Sequence, residues 1–329
     1  MLATAPGGPE VLQLRDLPLP ELPSPHHLRV RLAAAGVNPV DAKLRAKPAY
    51  YPDKLPAILG CDGAGVVDQV GSAVTRFKAG DEVFFCNGGL GDEAGCYAEY
   101  TTLHEDHCAA KPAPLSMSEA AALPLVFITA WESLVERAHL QAGQRVLIHA
   151  GAGGVGHVAI QIARHLGARI AATVGDTDKA AFVRGLGAET AILYRQQDFV
   201  QAALDWSAGS GVDVVYDTVG GDTFLRSLDA ARIGGHVTSL LATALSQADV
   251  QKARLRNLCL SFELMLTPQV FGLHAARTRQ RQLLERAAAW VEAGQLRVHV
   301  AHTLPLAEAA EAHRLIESGH TTGKIVLTM

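Results

Sequence analysis

The sequence predicts an α/β protein in two parts, a mainly β segment and a doubly wound parallel sheet. Three observations carry this. Residues 145–168 (RVLIHAGAGGVGHVAIQIARHLGA) place a glycine-rich turn between an apolar run and a helix. After Ala120, strand-like and helix-like stretches alternate, the rhythm that builds parallel sheets. Up to about Lys111 the segments are short and separated by Pro and Gly, which reads as mainly β.

Each element follows from its pattern. Residues 145–149 are a buried strand. Ala150, Gly151, Gly153, Gly154, Val155 and Gly156 make the turn and the helix entry. Val158, Ile160, Ile162, Ala163 and Leu166 recur at helical spacing, and Gly167 stops the helix. Strand, glycine turn and helix together set a pyrophosphate on a helix N-terminus, where unpartnered N–H groups and the dipole favour negative charge. In the β segment, residues 28–33 (LRVRLA) alternate apolar and charged, and 63–70, 81–85 and 98–102 are further strands. In the α/β part, strands are expected at 170–174, 212–216 and 236–241, and helices at 179–186 and 224–231. Residues 279–293 are an amphipathic helix stopped by Gly294. The final helix (306–317) and strand (324–327) match neither part by pattern.

Composition narrows the function classes. A chain of 329 residues suggests two domains. Hydrophobic residues are 49% and charged residues 19%, an ordinary globular balance. A net charge of -4 and a pI near 6.4 point away from nucleic acid and anionic membranes. No uninterrupted apolar run approaches the roughly 20 residues of a membrane helix, and MLATAPGGPE does not read as a signal peptide. The five cysteines (Cys61, Cys86, Cys96, Cys108, Cys259) are odd in number and scattered, as expected for reduced thiols in a cytoplasmic protein.

The tip of the second sheet strand chooses the dinucleotide. An acid there would bind the adenosine ribose hydroxyls and select NAD. Here the strand ends at Val174 and Gly175, with no acid at its tip. Lys179 and Tyr194 follow, a point charge and a hydroxyl donor suited to a ribose phosphate. Asp176 and Asp178 are the opposing signs; their structural reading is helix capping. NADPH is the expected cofactor.

Eight blocks now stand in order: GVNPVD (36–41), LGCDGAGVV (59–67), GDEV (80–83), YAEY (97–100), LPLVFITAWESL (123–134), AGAGGVG (150–156), YDTVGG (216–221) and GKIVL (323–327). Their order resembles the medium-chain dehydrogenase/reductase superfamily over essentially the whole chain. Within it the chain looks like the zinc-free quinone oxidoreductase branch, which includes zeta-crystallin-like and enone reductases. The resemblance implies a GroES-like β-barrel catalytic domain (1–121 and 299–329), an inserted Rossmann domain (122–298) and an active site in the cleft. It also implies where zinc ligands would stand. The positions fall on Asn38, Cys61 and Leu125 or Val126, and these do not make a zinc site. The lobe that holds structural zinc in relatives has only Cys86 and Cys96. His104, His107 and Cys108 have a ligand-like spacing, but they lie where the chain turns before Lys111 and Pro112 and read as structural. No metal is therefore expected, and without a Lewis acid alcohol oxidation is disfavoured.

What remains is hydride transfer from NADPH to a quinone or an α,β-unsaturated carbonyl, whose oxygen takes up charge through conjugation. The resemblance implies that Asn38 and Lys43 lie beside the nicotinamide ribose or the substrate, and that Tyr50 or Tyr51 lines the pocket. It places Thr129 near the nicotinamide and lets Lys324 reach the cofactor. Val219 and Gly220 offer backbone to the cofactor, and Ser239, Leu240 and Leu241 follow a strand at its carboxyl end. Blander roles compete: Asn38 before Pro39 as a turn residue, Asp41 as a helix cap, Tyr51 as barrel packing and Cys61 as an inert thiol. Residues 262–271 suit a pocket wall, a dimer contact or core. The expected partners are a small quinone or activated alkene and a second copy of the chain, as a homodimer. Two rival readings are a zinc-type alcohol dehydrogenase and an NADPH-binding protein with incidental, crystallin-like turnover.

Overall fold

A computed structural model describes residues 1–48, 50 and 53–329. β1 (Leu2–Ala3) and β2 (Leu12–Gln13) form a short antiparallel pair. β3 (His27–Val37), α1 (Pro39–Ala46), β4 (Asp62–Val70), β5 (Glu82–Cys86), β6 (Tyr100–His104) and β7 (Cys108–Ala110) follow. The alternation in β3 has its expected outcome: Leu28, Val30 and Leu32 are buried and Arg31 is exposed. Beyond Ala34 both faces are covered, because α2 (Met117–Ala122) brings Ala120, Ala121 and Ala122 against them. α3 (Pro124–Trp131) and a π-helical turn (Glu132–Arg137) come next. Met117–Arg137 is long and apolar enough to cross a membrane, but 78% of its most apolar window is buried inside the protein, as in a core helix.

The alternating region is β8 (Arg145–Ile148), α4 (Gly154–His165), β9 (Arg169–Val174), α5 (Thr177–Leu186), β10 (Thr190–Leu193), α6 (Phe199–Trp206), β11 (Val212–Asp217), α7 (Asp222–Ala230), β12 (Ala231–Ser239), α8 (Gln247–Leu255) and β13 (Cys259–Phe262). All six strands run parallel, in the order β10-β9-β8-β11-β12-β13. Such a sheet, covered on both faces, needs continuous apolar strands, and Val146, Leu147 and Ile148 are fully buried. The strand order reverses between β8 and β11. At that point the connections leave in opposite directions, and doubly wound sheets bind ligands beyond the strand carboxyl ends there.

The chain then continues through α9 (Thr267–Val270), α10 (His274–Glu292), β14 (Val300–Pro305), α11 (Ala309–Glu317) and β15 (Lys324–Thr328). β15 pairs antiparallel with β3, Ile325 opposite Val37, and parallel with β14. The second sheet therefore runs β14-β15-β3-β4-β5-β7, with β6 also on β3. The last strand belongs to the sheet of the first residues, which is why it fits no local pattern.

The chain forms two compact units, Met1–Ile128 with Leu266–Met329, and Thr129–Met265. Each has its own core, the first around Leu28, Val30, Phe85 and Leu327, the second around Leu147, Val215, Phe224 and Val237. The division differs from the sequence-based boundaries at 122 and 299, most at the second. Helical rhythm runs on into α10, so pattern alone joins it to the α/β part. Its side chains decide otherwise: Arg277 pairs with Glu93 at 2.8 Å, and Trp290 packs edge-on against Phe127 at 5.9 Å. Pattern also overlooks α6, α8 and β14. α8 is polar with only Ala253 buried, and β14 exposes His302 and Thr303.

Candidate active site

The turn after β8 is built from backbone. Ala150 has a positive φ of 47°, and its N–H donates to Thr173 Oγ1 at 3.1 Å. Gly151 donates to the Thr173 carbonyl at 2.9 Å, tying the turn to β9. A Cβ on Gly151 would stand 2.7 Å from that of Ala172, and one on Gly156 would fall on the Ala150 carbonyl oxygen. Both positions need glycine for close helix–strand approach. Gly153 is the N-cap of α4 and has no side chain to cap with. The N–H groups of Gly154, Val155 and Gly156 therefore open the helix without a side-chain cap from Gly153, the arrangement that receives an anion.

Beyond β9, Gly175 and Tyr194 come together. The Tyr194 hydroxyl lies 3.4 Å from where a Cβ on Gly175 would stand, and Tyr194 is 50% exposed. Asp176 caps α5, accepting from the Lys179 N–H at 2.8 Å, so its capping reading holds. The Lys179 ammonium also lies 3.8 Å from Asp176. Lys179, Gly175 and Tyr194 thus border one strand tip, with the acid engaged at the helix end.

At the ends of β11 and β12 the organiser is Asp217, a residue that sequence reasoning passed over. Fully buried, it accepts from Val219 N–H (2.9 Å), Gly220 N–H (3.0 Å) and Ser239 Oγ (2.7 Å). Ser239 in turn accepts from Leu241 N–H at 3.2 Å, and Leu240 donates to the Asp217 carbonyl at 3.1 Å. This clamp brings Val219 and Gly220 beside Ser239, Leu240 and Leu241, with Val219 46% exposed. The signal was present: an acid at a strand end immediately before Thr218, Val219 and two glycines. Thr129, on α3, is buried, and its carbonyl accepts from Tyr216 at 3.5 Å.

The other unit holds a buried side-chain network. Asn38 N–H donates to Asp41 at 2.8 Å, which bears out Asp41 as a cap of α1. Asn38 Nδ2 donates to Asp62 at 2.9 Å, and its Oδ1 accepts from Lys324. Lys324 Nζ also meets the Val37 carbonyl at 3.1 Å and Asp62 at 3.5 Å. Leu125 N–H donates to Asp62 at 2.8 Å. Tyr97 donates to Asp41 at 3.0 Å, and its hydroxyl stands 3.2 Å from His313. Burial pushes Asp41 up to about 7, reinforced by Asp62 and opposed by the Asn38 N–H and Lys324. Burial raises Asp62 as well, against the pull of Lys324.

Two of the expected site residues sit inside this network. Lys324 is buried, and its ammonium faces three acceptors inside this unit. Asn38 is 1% exposed with both ends of its amide engaged, so it shapes the loop ahead of α1. Lys43 is exposed on α1, and Tyr50 is half-buried, with burial pushing its phenol above the ordinary value. Tyr51 lies outside the described residues. Cys61 is buried, with its thiol pushed up by burial and the adjacent carboxylates, the behaviour of an inert thiol.

Comparison with known proteins agrees with this geometry. The family described as alcohol dehydrogenase GroES-like domain matches residues 24–113, and that described as zinc-binding dehydrogenase matches 186–327. A quinone oxidoreductase of Pseudomonas aeruginosa is 36% identical over 323 residues, spanning 98% of this chain and 96% of the relative. The chain belongs to the quinone oxidoreductase branch of the medium-chain dehydrogenase/reductases. Within that family, a 2-haloacrylate reductase of Burkholderia sp. is 34% identical over 98% of this chain and 96% of its own length. Among solved structures, an NAD-dependent alcohol dehydrogenase has a TM-score of 0.90 at 35% identity, covering 100% of this chain and 98% of that one. The Escherichia coli quinone oxidoreductase complexed with NADPH has a TM-score of 0.88 at 32% identity, covering 100% and 99%. The zinc in one family description does not suit the positions that the resemblance gives its ligands: the Lys324 ammonium stands beside Asn38 and Asp62, and Leu125 offers a backbone N–H to Asp62.

Proposed function

We propose that the chain is an NADPH-dependent oxidoreductase that reduces quinones or α,β-unsaturated carbonyls without zinc. The observation that carries this is the uncapped glycine turn from β8 to α4, beside a β9 tip that lacks an acid and is flanked by Lys179 and Tyr194. Ala150, Gly151, Gly153, Gly154, Val155 and Gly156 would hold the pyrophosphate, and Gly175, Lys179 and Tyr194 the ribose phosphate. Val219, Gly220, Ser239, Leu240 and Leu241 would offer backbone to the rest of the dinucleotide. NADPH supplies the hydride. The names of the relatives, quinone oxidoreductases and a haloacrylate reductase, favour an acceptor whose oxygen becomes negative on reduction.

The protein's own task is then to meet that charge. Tyr50 suits it, because a phenol is a hydrogen-bond donor at neutral pH and this one is half-buried. Lys43, exposed on α1, adds positive charge. We also propose a homodimer: β13 is an outermost strand of its sheet, and Phe262 at its end and Leu264 just past it are 48% and 44% exposed. Equilibrium sedimentation at micromolar chain should give twice the chain mass; a monomer there overturns the dimer alone.

The test of the activity is a steady-state panel of quinones, enones and acrylate derivatives with NADPH. Turnover on at least one class, lowered by Tyr50→Phe, supports the reading. NAD-linked alcohol oxidation without enone reduction points to an alcohol dehydrogenase, and tight NADPH binding without turnover points to a binding protein.

A further inference from the structure

Sequence spacing singled out His104, His107 and Cys108, and the structure replaces the third member. The Cys108 thiol is buried and turned to the Glu105 carbonyl at 3.7 Å. In its place stands His274, the first residue of α10, which reaches the turn after β6 from 167 residues away in sequence. Ring centroids are 4.7 Å apart for His104 and His274, 5.1 Å for His107 and His274, and 5.4 Å for His104 and His107. One ring nitrogen from each lies within 4.8 Å of the others.

The closest pair has the spacing of a coordination shell. His107 Nε2 and His274 Nδ1 are 3.3 Å apart. Two nitrogens on a tetrahedral zinc, each about 2.0–2.1 Å from it, are separated by about 3.3 Å. His274 Nε2 faces Asp106 Oδ2 at 3.4 Å. A carboxylate behind an imidazole fixes its tautomer, strengthens it as a ligand and leaves its other nitrogen for a metal. His26 and His27 pack around His104 at 5.6 and 5.5 Å, held by Glu105 at 3.0 Å and Ser24 at 2.7 Å.

The charges around the three rings agree with a cation here. Arg277 is the opposing charge near His107, but Glu93 holds its guanidinium at 2.8 and 2.9 Å. Asp106 and Glu105 add negative charge at the turn itself.

We propose that His104, His107 and His274 bind one divalent transition-metal ion of the imidazole-seeking class, with Zn²⁺ as the reference ion, Asp106 orienting His274 and water completing the shell. The ion would fasten the N-terminus of α10 to the turn after β6, both within one unit. It is separate from the hydride chemistry and does not depend on that proposal.

The test uses the full chain after dialysis against a chelator. Zn²⁺ is titrated calorimetrically, retained metal is counted after gel filtration, and melting is followed with and without Zn²⁺. The expected result is one ion per chain and a raised Tm. His274→Gln and His104→Gln should each weaken binding by at least about a hundredfold and remove the Tm rise. His302→Gln, an exposed histidine on β14, should change neither. His274 is itself more than half exposed, so its variant should melt like the parent without metal. The proposal is overturned by the lack of a saturable one-ion site, by parent-like binding in His274→Gln, or by an equal loss in His302→Gln.

Discussion

The turn after β8 and the network beneath β3 hold polar groups in opposite ways. The turn uses backbone: glycines remove side chains so that N–H groups and carbonyls can approach, and the α4 entry is left open to a ligand. The network uses side chains: Asn38, Asp41, Asp62, Tyr97, His313 and Lys324 satisfy one another and stay out of solvent. An open backbone site should respond to added volume and to ligand. A closed side-chain site should respond to lost charge and to pH.

The largest expected effect is in the network. Lys324→Met leaves Asp62 buried without its cation, and should cost about 3–5 kcal/mol in urea unfolding. Adding Asp62→Asn to Lys324→Met should recover much of that loss, because the stranded charge is gone. If Lys324→Met alone costs under about 1 kcal/mol, charge does not hold this region together.

Next is a pH effect. Asp41 stands near 7 when folded, against an ordinary 3.8. Between those values the folded chain keeps a proton that the unfolded chain has released, so this group's contribution to stability falls as pH rises through that window. Asp41→Asn removes the slope. The stability of the variant relative to its parent should therefore climb by up to about 4 kcal/mol from pH 4 to pH 7. A difference that stays flat with pH would mean that Asp41 is ionised throughout.

The turn should respond less in stability and more in ligand binding. Gly156→Ala pushes a methyl group onto the Ala150 carbonyl and should cost about 1–3 kcal/mol. It should also weaken NADPH binding at least tenfold, read by nicotinamide fluorescence. Unchanged binding would remove the pyrophosphate from this turn. Smallest is the effect at the strand tip. Lys179→Ala or Tyr194→Phe should cut the preference for NADPH over NADH about tenfold, or about 1.4 kcal/mol. If NADH binds the parent chain more tightly, the reading of that tip fails.

The same contrast explains what could be read in advance. The turn lies within seven consecutive residues, and Gly151 and Gly156 there mark a steric demand, so strand, turn and helix were legible from residues 145–168. So was the Asp176 cap, three residues from its N–H partner. The network joins residues 38, 62 and 324, far apart in sequence, and the pairing of β15 with β3 is what brings Lys324 to Asn38. His274 escaped for the same reason: the packing of α10, not local spacing, brings it to His107. Asp217 was within reach, since it sits at a strand end before a glycine pair, but an acid in a motif draws less attention than the glycines beside it.

The most direct test of the account is a paired assay on chelator-treated full-length protein. NADPH oxidation with a quinone or enone acceptor is measured beside NAD reduction with an alcohol, each before and after zinc is added back. NADPH-driven reduction should survive chelation, with little alcohol oxidation. NAD-linked alcohol oxidation that disappears on chelation and returns with zinc would contradict it.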